Sequence, residues 1–73
     1  MPPKHVIGRC LLLDILNKKY MTQADLVIKT GLSKSQISEY IGNKNVMGLN
    51  AAVIIAHALG CKVEELYELH IED

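Results

Sequence analysis

Polar side chains with hydrogen-bonding groups concentrate in one short stretch near the middle of the chain, residues 22–41, TQADLVIKTGLSKSQISEYI. Its second half presents amino, hydroxyl, amide and carboxylate groups at helical spacing: Lys34, Ser35, Gln36, Ser38 and Glu39. On a wheel of 100° per residue, Ser35 and Glu39 lie opposite the apolar side. Such a face donates and accepts hydrogen bonds, which suits either recognition of a polar partner or plain solvation.

Two short helices joined by a tight turn are expected to hold this face outward. Thr22 precedes Asp25 by three residues and Ser33 precedes Gln36 by three, so each helix begins with a capping-box pattern. Gly31 lies where the first of these helices must stop, and glycine adopts the left-handed turn conformation without steric cost. The stretch therefore predicts an angular helix pair.

Apolar periodicity extends this helix pair to an all-α domain of five helices. Proline occurs only near the N-terminus, and no segment alternates with period two over the length of a strand. The five helices are predicted at residues 6–19, 23–30, 34–41, 49–59 and 63–70. Their inward arcs form the predicted core, which consists of Leu12, Ile15, Leu16, Leu26, Val27, Ile37, Ile41, Leu49, Ala52, Ile55, Ala56, Leu59 and Leu66.

The length of 73 residues predicts a single domain, 1–73, near the lower size limit for a core that needs neither disulfides nor metal. Residues 1–5 are predicted to form a flexible N-terminal arm. Because no long apolar run is present, we expect neither a signal peptide nor a membrane span, and a cytoplasmic location. Cys10 and Cys61 are expected to be reduced packing residues.

Charge is distributed unevenly, although the formal net charge is zero. Up to Lys62 the chain carries eight Lys and Arg residues against three acidic ones, whereas the residues after Lys62 include five acidic and no basic ones. Binding to phosphates usually requires a basic surface, and a basic body with an acidic tail meets that requirement in a neutral chain. Glu64 and Glu65 also suit the first turn of a helix, which explains part of the tail by structure alone.

No group of residues has the composition of a catalytic or metal site. Titratable residues are scattered along helix surfaces in a domain too small for a deep cleft, so enzymatic activity is not expected. His57 and Cys61 have the spacing of two metal ligands, but a predicted helix end lies between them and no second pair completes a tetrahedral site. We therefore expect neither a metal nor another cofactor.

The order of residues along the helix pair resembles the helix-turn-helix of the Cro/CI-type (XRE) transcriptional regulators of bacteria and phages. The similar positions are Gln23, Leu26, Gly31, Ser33, Ile37 and Tyr40 in the pair, and Ile55, Ala56, Leu59, Gly60, Glu65, Leu66 and Tyr67 beyond it. The resemblance covers about residues 8–69. It implies a compact lambda-repressor-like fold and a sequence-specific regulator that binds double-stranded DNA as a homodimer and represses by occupying an operator.

The resemblance also implies roles for individual residues, with the third helix in the major groove and the second across the backbone. Bases are expected to meet Lys34, Ser35, Ser38 and Glu39, with Lys34 donating to guanine and Glu39 accepting from cytosine. Backbone-positioning contacts are expected from Thr22, Gln23, Gln36, Asn43, Lys44 and Asn45. The chain departs from the common family pattern at Val27, Ile41, Asn43 and Met47.

Apolar residues left outside the predicted core give a second interpretation. Leu13, Ile28 and Ile54 fall on outward arcs, and Val6 and Cys10 form a second stripe with Leu13. Either the last helix covers this stripe, or the excess belongs to a dimer or partner surface. A helix-turn-helix module that binds a protein, such as an anti-repressor or a partner of another regulator, is therefore the alternative function.

Overall fold

Four helices and a small two-stranded sheet make up the part of the chain that the structure describes. This structure is a computed structural model, and it describes residues 7–69. In chain order the elements are β1 (Ile7–Cys10), α1 (Leu12–Lys18), α2 (Gln23–Thr30), α3 (Lys34–Ile41), α4 (Leu49–Leu59), a 3-10 turn (Val63–Leu66) and β2 (Tyr67–Leu69). The predicted bounds of the second, third and fourth helices are confirmed. The arm at residues 1–5 lies outside the described residues and stays a prediction, as does the single domain over 1–73.

Both helices of the central pair begin with the predicted capping box. Thr22 Oγ1 accepts a hydrogen bond from the Asp25 N–H at 3.1 Å, and the Asp25 carboxylate accepts from the Thr22 N–H at 3.0 Å. In the second helix, Ser33 Oγ accepts from the Gln36 N–H at 3.1 Å, and Gln36 Oε1 accepts from the Ser33 N–H at 3.2 Å. The bond from Thr22 lowers the pKa of Asp25, so the stability that this cap contributes is present above the unfolded-state pKa and is lost as the pH falls through the folded-state pKa.

The first predicted helix, residues 6–19, is replaced by strand β1 and the shorter helix α1. Gly8 weakens a helix in this segment, and β-branched Ile7 favours a strand. β1 pairs antiparallel with β2, so its backbone groups find a distant partner instead of a helical one. Val6, where the helix was predicted to begin, lies outside the described residues.

The fifth predicted helix, residues 63–70, is a 3-10 turn followed by strand β2, and His70 lies outside the described residues. In the two-stranded ribbon Tyr67 lies opposite Cys10 and Leu69 opposite Ile7. The apolar run here is too short for sequence to distinguish helical from strand periodicity, and the pairing with β1 decides the outcome. The prediction of an all-α, five-helix domain is therefore not confirmed, and the described residues form a mostly helical fold with a β-ribbon.

The core lies between the helices and the inner side of the ribbon. Most of the predicted core is buried: Leu12, Leu16, Leu26, Ile37, Ala52, Ile55, Ala56, Leu59 and Leu66. Ile15, Val27 and Ile41 are half-buried and pack against it. The prediction for Leu49 is wrong, because this first residue of α4 is 76% exposed and the buried side of that helix begins at Ala52. The core also contains Cys10, Tyr40 and Met47.

Candidate nucleic-acid interface

The turn between α2 and α3 fixes the direction in which α3 faces. Gly31 ends α2 in the left-handed region, with φ of 74°. The Thr30 hydroxyl donates to the Leu26 carbonyl oxygen at 2.7 Å and accepts from the Leu32 N–H at 3.2 Å, which ties both sides of the turn together. Leu26 and Ile37 are fully buried, one from each helix. The opposite side of α3 is therefore held toward solvent.

The predicted base-reading residues lie together on this outward side of α3. Lys34, Ser35, Ser38 and Glu39 line one open depression. Lys34 and both serines are exposed, and within residues 7–69 their side chains make no hydrogen bond or ion pair. An ammonium and two hydroxyls are thus left to bind an external partner, with donors and acceptors side by side.

Glu39 differs from its three neighbours because its carboxylate already has a partner. The side-chain amide of Asn45 donates to Glu39 Oε2, and the Lys44 N–H donates to the Glu39 carbonyl oxygen at 2.9 Å. Glu39 therefore joins the loop after α3 to the helix itself. One carboxylate oxygen is left to accept a further bond, while Asn45 is partly committed within the protein.

Besides Asn45, three more of the predicted backbone-positioning residues have structural roles. Thr22 and the Gln36 carbonyl group are both used in the capping boxes, which leaves the Gln36 amino group as the donor for an external contact. Asn43 has φ of 59°, and its side-chain oxygen accepts from the Cys10 N–H at 2.9 Å. Gln23 is half-buried at the first position of α2.

The β-ribbon holds both sides of the loop that contains Lys44 and Asn45. The Cys10 N–H binds Asn43 before this pair, and the Tyr67 hydroxyl accepts from the Met47 N–H at 3.1 Å after it. Cys10 and Tyr67 are themselves cross-strand partners. Burial raises the pKa of the Cys10 thiol and of the Tyr67 phenol, so both groups stay protonated at neutral pH. Sequence reasoning missed these two bonds to the loop because they depend on the strand pairing, which was not predicted.

Replacing Tyr67 by phenylalanine is expected to lower the free energy of unfolding by about 1–2 kcal/mol, because the partly buried Met47 N–H loses its acceptor. If the loop contacts DNA, affinity should also fall about 3- to 10-fold, because the released loop must be ordered on binding and this ordering costs a free energy comparable with the loss of stability. Urea denaturation and a duplex titration measure the two effects. Tyr20→Phe is the matched control, since Tyr20 is 96% exposed. Equal stability of the two variants would show that the bond between the Tyr67 hydroxyl and the Met47 N–H does not stabilise the fold.

One residue of the acidic C-terminal segment, Glu68, contacts the basic part of the chain. Arg9 Nε donates to Glu68 at 3.1 Å and Arg9 Nη2 to Asp14 at 3.3 Å. The bond to Glu68 is the main cause of the raised pKa of Arg9, and the attraction of Asp14 adds to it. The guanidinium of Arg9 is therefore paired with two carboxylates at the ribbon, one from α1 and one from β2.

The described residues offer no alternative site for metal chemistry. Within residues 7–69 no three His, Cys, Asp or Glu side chains are grouped so that they could hold a metal ion. His57 is exposed on α4, and Cys61 follows Gly60, whose φ of 69° ends that helix. Burial raises the pKa of the Cys61 thiol. In the same part of the chain, no helix has the length and apolar character needed to cross a bilayer.

The predicted partner residues are spread over three helices. Leu13 on α1 is 43% exposed and Ile28 on α2 is 82% exposed, whereas Ile54 on α4 is half-buried. The stripe predicted from Val6, Cys10 and Leu13 does not form a helix face, because Cys10 is buried in β1. Exposed apolar side chains also occur elsewhere on α4, at Leu49 and Val53.

Comparison with known proteins also finds a helix-turn-helix domain in this chain. Residues 12–71 match the family model described as the Cro/C1-type HTH DNA-binding domain. Over 67 residues the chain is 42% identical to the SPbeta prophage-derived uncharacterized HTH-type transcriptional regulator YopS of Bacillus subtilis (strain 168), which covers 90% of each chain. Over 55 residues it is 40% identical to the regulator of the same description named YotL, covering 74% of this chain and 69% of that protein.

Proposed function

The chain belongs to the Cro/C1-type helix-turn-helix DNA-binding family, and from this we propose that it is a sequence-specific transcriptional regulator that binds double-stranded DNA as a homodimer. In this proposal it represses by occupying an operator. The family is of a DNA-binding rather than a catalytic type, and the two bacterial relatives carry the description of transcriptional regulators. The protein would act in the cytoplasm, where bacterial DNA lies.

One observation supports the proposal most strongly, the outward face of α3. Lys34, Ser35 and Ser38 stand exposed around one depression without partners in the described chain. The opposite side of α3 is anchored in the core by the buried Ile37. A short polar helix held this way has the shape and the donors and acceptors that the major groove of DNA accommodates.

The remaining contacts follow from the position of each group relative to α3. Gln23, at the first position of α2, is proposed to donate to a phosphate. Lys44 is exposed in the loop after α3 and is free to meet another. Glu39 can accept from cytosine N4 through its uncommitted oxygen. Thr22, Gln36, Asn43 and Asn45 then act mainly by holding these elements in place.

Selection of bound duplexes from a random pool tests the proposal directly. We expect enrichment of one sequence arranged as two inverted half-sites, with their centres about one DNA turn apart. That spacing would reflect a two-fold dimer with an α3 helix in each major groove. A pool that shows no enrichment after repeated rounds at low salt would rule out sequence-specific binding.

Replacing Lys44 by alanine is expected to weaken binding by a similar factor on every duplex, because a phosphate contact carries no sequence information. The slope of log affinity against log salt concentration should become shallower by about 1. Titrations at several salt concentrations measure this change. Lys62→Ala is the control, since Lys62 is an exposed lysine beyond α4 and outside the helix-turn-helix. An unchanged slope for Lys44→Ala would remove Lys44 from the interface.

A protein-binding role is the second candidate, favoured by the exposure of Ile28 on the outer side of α2. In that case Lys34 and Lys44 are ordinary solvated lysines, and their replacement leaves the function intact. Ile28→Glu distinguishes the two roles. A DNA-binding protein should keep its duplex affinity after this change, whereas a module that uses this surface for a partner should lose the partner.

A further inference from the structure

The side chain of Asn45, although exposed, is bound to a residue of α3. Its amide donates to Glu39 Oε2, across the bend between α3 and the loop that follows it. A carboxylate only accepts hydrogen bonds, so the amide nitrogen must be the atom that faces it. The charge of the acceptor makes such a bond stronger than one between two neutral groups. Asn45 thus fixes the direction of a carboxylate on the proposed reading helix.

The backbone of the loop is bound to Glu39 as well. The Lys44 N–H donates to the Glu39 carbonyl oxygen at 2.9 Å, and the Asn45 N–H makes a longer bond to the same oxygen at 3.5 Å. Two consecutive residues therefore hold Glu39 at its main chain and at its carboxylate. Because the main-chain bonds set the place of the loop beside α3, the Asn45 amide approaches the carboxylate from a fixed position.

The β-ribbon fixes the same loop on both sides of Asn45. The Cys10 N–H donates to Asn43 Oδ1 at 2.9 Å, and the Met47 N–H donates to the Tyr67 hydroxyl at 3.1 Å. Met47 is also buried in the core. Bonds from the ribbon, through the loop and on to α3 form one connected network. Supporting contacts of this kind hold a binding group in place before its ligand arrives.

We propose that Asn45 is a positioning residue that sets the base preference of Glu39. With Oε2 bound to Asn45, the planar carboxylate presents Oε1 as its free acceptor at the depression that Glu39 lines with Lys34, Ser35 and Ser38. The base matched to a carboxylate in the major groove is cytosine, which donates through N4. The inference rests on the proposed function and differs from the backbone contact that the sequence predicts for Asn45.

Holding the carboxylate in advance affects specificity in two ways. A glutamate side chain has three rotatable bonds, and freedom that is already lost in the bond to Asn45 is not lost again on DNA. A carboxylate that cannot turn aside also meets the acceptor atoms of guanine or thymine when the base is wrong, and their repulsion lowers affinity. Without Asn45 the side chain would swing away, and the wrong bases would be tolerated.

The duplex enriched from the random pool is the probe for this preference. Each base pair of one half-site is replaced in turn by the other three, and the affinity of the full chain is measured. The base pair read by Glu39 is the one at which Glu39→Ala removes the preference. There, Asn45→Ala should reduce discrimination about 10-fold, while preferences at other base pairs and the salt dependence stay as in wild type. Asn50→Ala, at an exposed asparagine of α4, is the matched control and should change nothing.

Exchanging the chemical groups of the pair tests the contact itself. Asn45→Asp keeps the shape of the side chain but places a second carboxylate against Glu39, so it should remove the preference as Glu39→Ala does. Adding Glu39→Gln reverses the bond: the glutamine amide donates to the new aspartate and leaves its own oxygen for cytosine. This double variant has the net charge of wild type and should recover most of the lost preference. A merely structural role of Asn45 in the loop predicts no recovery.

NMR relaxation gives a readout without DNA. The order parameter of the Asn45 side-chain amide should lie in the range of rigid groups in wild type and fall below about 0.6 in Glu39→Ala. The side-chain amide of Asn50 should have the same order parameter in both proteins. A flexible Asn45 amide in wild type would overturn the inference, because the carboxylate would then not be held before DNA binds.

The outcomes separate this inference from the proposed function. If a duplex is enriched and Asn45→Ala keeps the wild-type preference at the base pair read by Glu39, the inference is overturned and the DNA-binding proposal stands. The same holds if Glu39→Ala changes no preference, or if the double variant fails to recover it. If no duplex is enriched, the DNA-binding proposal fails and the inference fails with it.

Discussion

Replacing Lys34 and Ser35 together by alanine is expected to reduce affinity for the selected duplex roughly 100-fold, because the two proposed contacts to base edges would be lost. Both side chains are exposed on α3 and neither is used within the described chain, so the fold should be unaffected. Affinity for a scrambled duplex should change much less, since phosphate contacts supply most nonspecific binding. Competition between the selected and the scrambled duplex measures the ratio of the two affinities.

The matched control makes the same lysine substitution on the other helix. Lys29→Ala removes an exposed ammonium from α2 and should preserve the ratio of affinities. Adding Lys44→Ala to the double variant should remove a phosphate contact as well, which lowers affinity for both duplexes. If this triple variant bound every duplex like wild type, the assignment of α3 as the reading helix would be wrong.

Replacing Ile37 by alanine is expected to lower the free energy of unfolding by about 2–5 kcal/mol, because its fully buried side chain leaves a cavity between α3 and the core. That loss is a large part of the stability of a small domain, so DNA binding should fall with the folded fraction. Ile28→Ala provides an internal comparison, since the same substitution at an 82% exposed position on α2 should cost less than about 0.5 kcal/mol. Urea denaturation of both variants gives the difference.

A milder change at the same position guards against complete unfolding. Ile37→Val removes one methyl group and should cost about 0.5–1.5 kcal/mol, which keeps the protein folded and the transition measurable. Similar losses for Ile37→Ala and Ile28→Ala would show that α3 is not anchored through Ile37. The outward orientation of the polar face of α3 would then have no structural explanation.

The helix pair was predictable because its signals are local. Thr22 with Asp25 and Ser33 with Gln36 lie three residues apart, and the same residues form the observed capping boxes. Gly31 supplies the left-handed residue that the turn needs. Each of these interactions depends on neighbours in the sequence, so spacing alone indicates them.

The β-ribbon was not predictable by the same reasoning, because it joins segments at opposite ends of the chain. Cys10 and Tyr67 become neighbours only when the strands pair. Each apolar segment is also shorter than the length over which helical and strand periods differ clearly. The structural roles of Asn43 and Tyr67 follow from this pairing, so the candidate site was predictable on α3 and much less so in the loop.

The ribbon also affects the order in which the molecule folds. Arg9 and Glu68, which it brings together, are 59 residues apart, whereas the contacts of the helix pair are local. Closing so long a loop costs chain entropy, so the strands are expected to pair after the helices have formed. The loop around Lys44 then gains its two ribbon bonds in the last step, and fraying of the ribbon would release that loop while α2 and α3 remain folded.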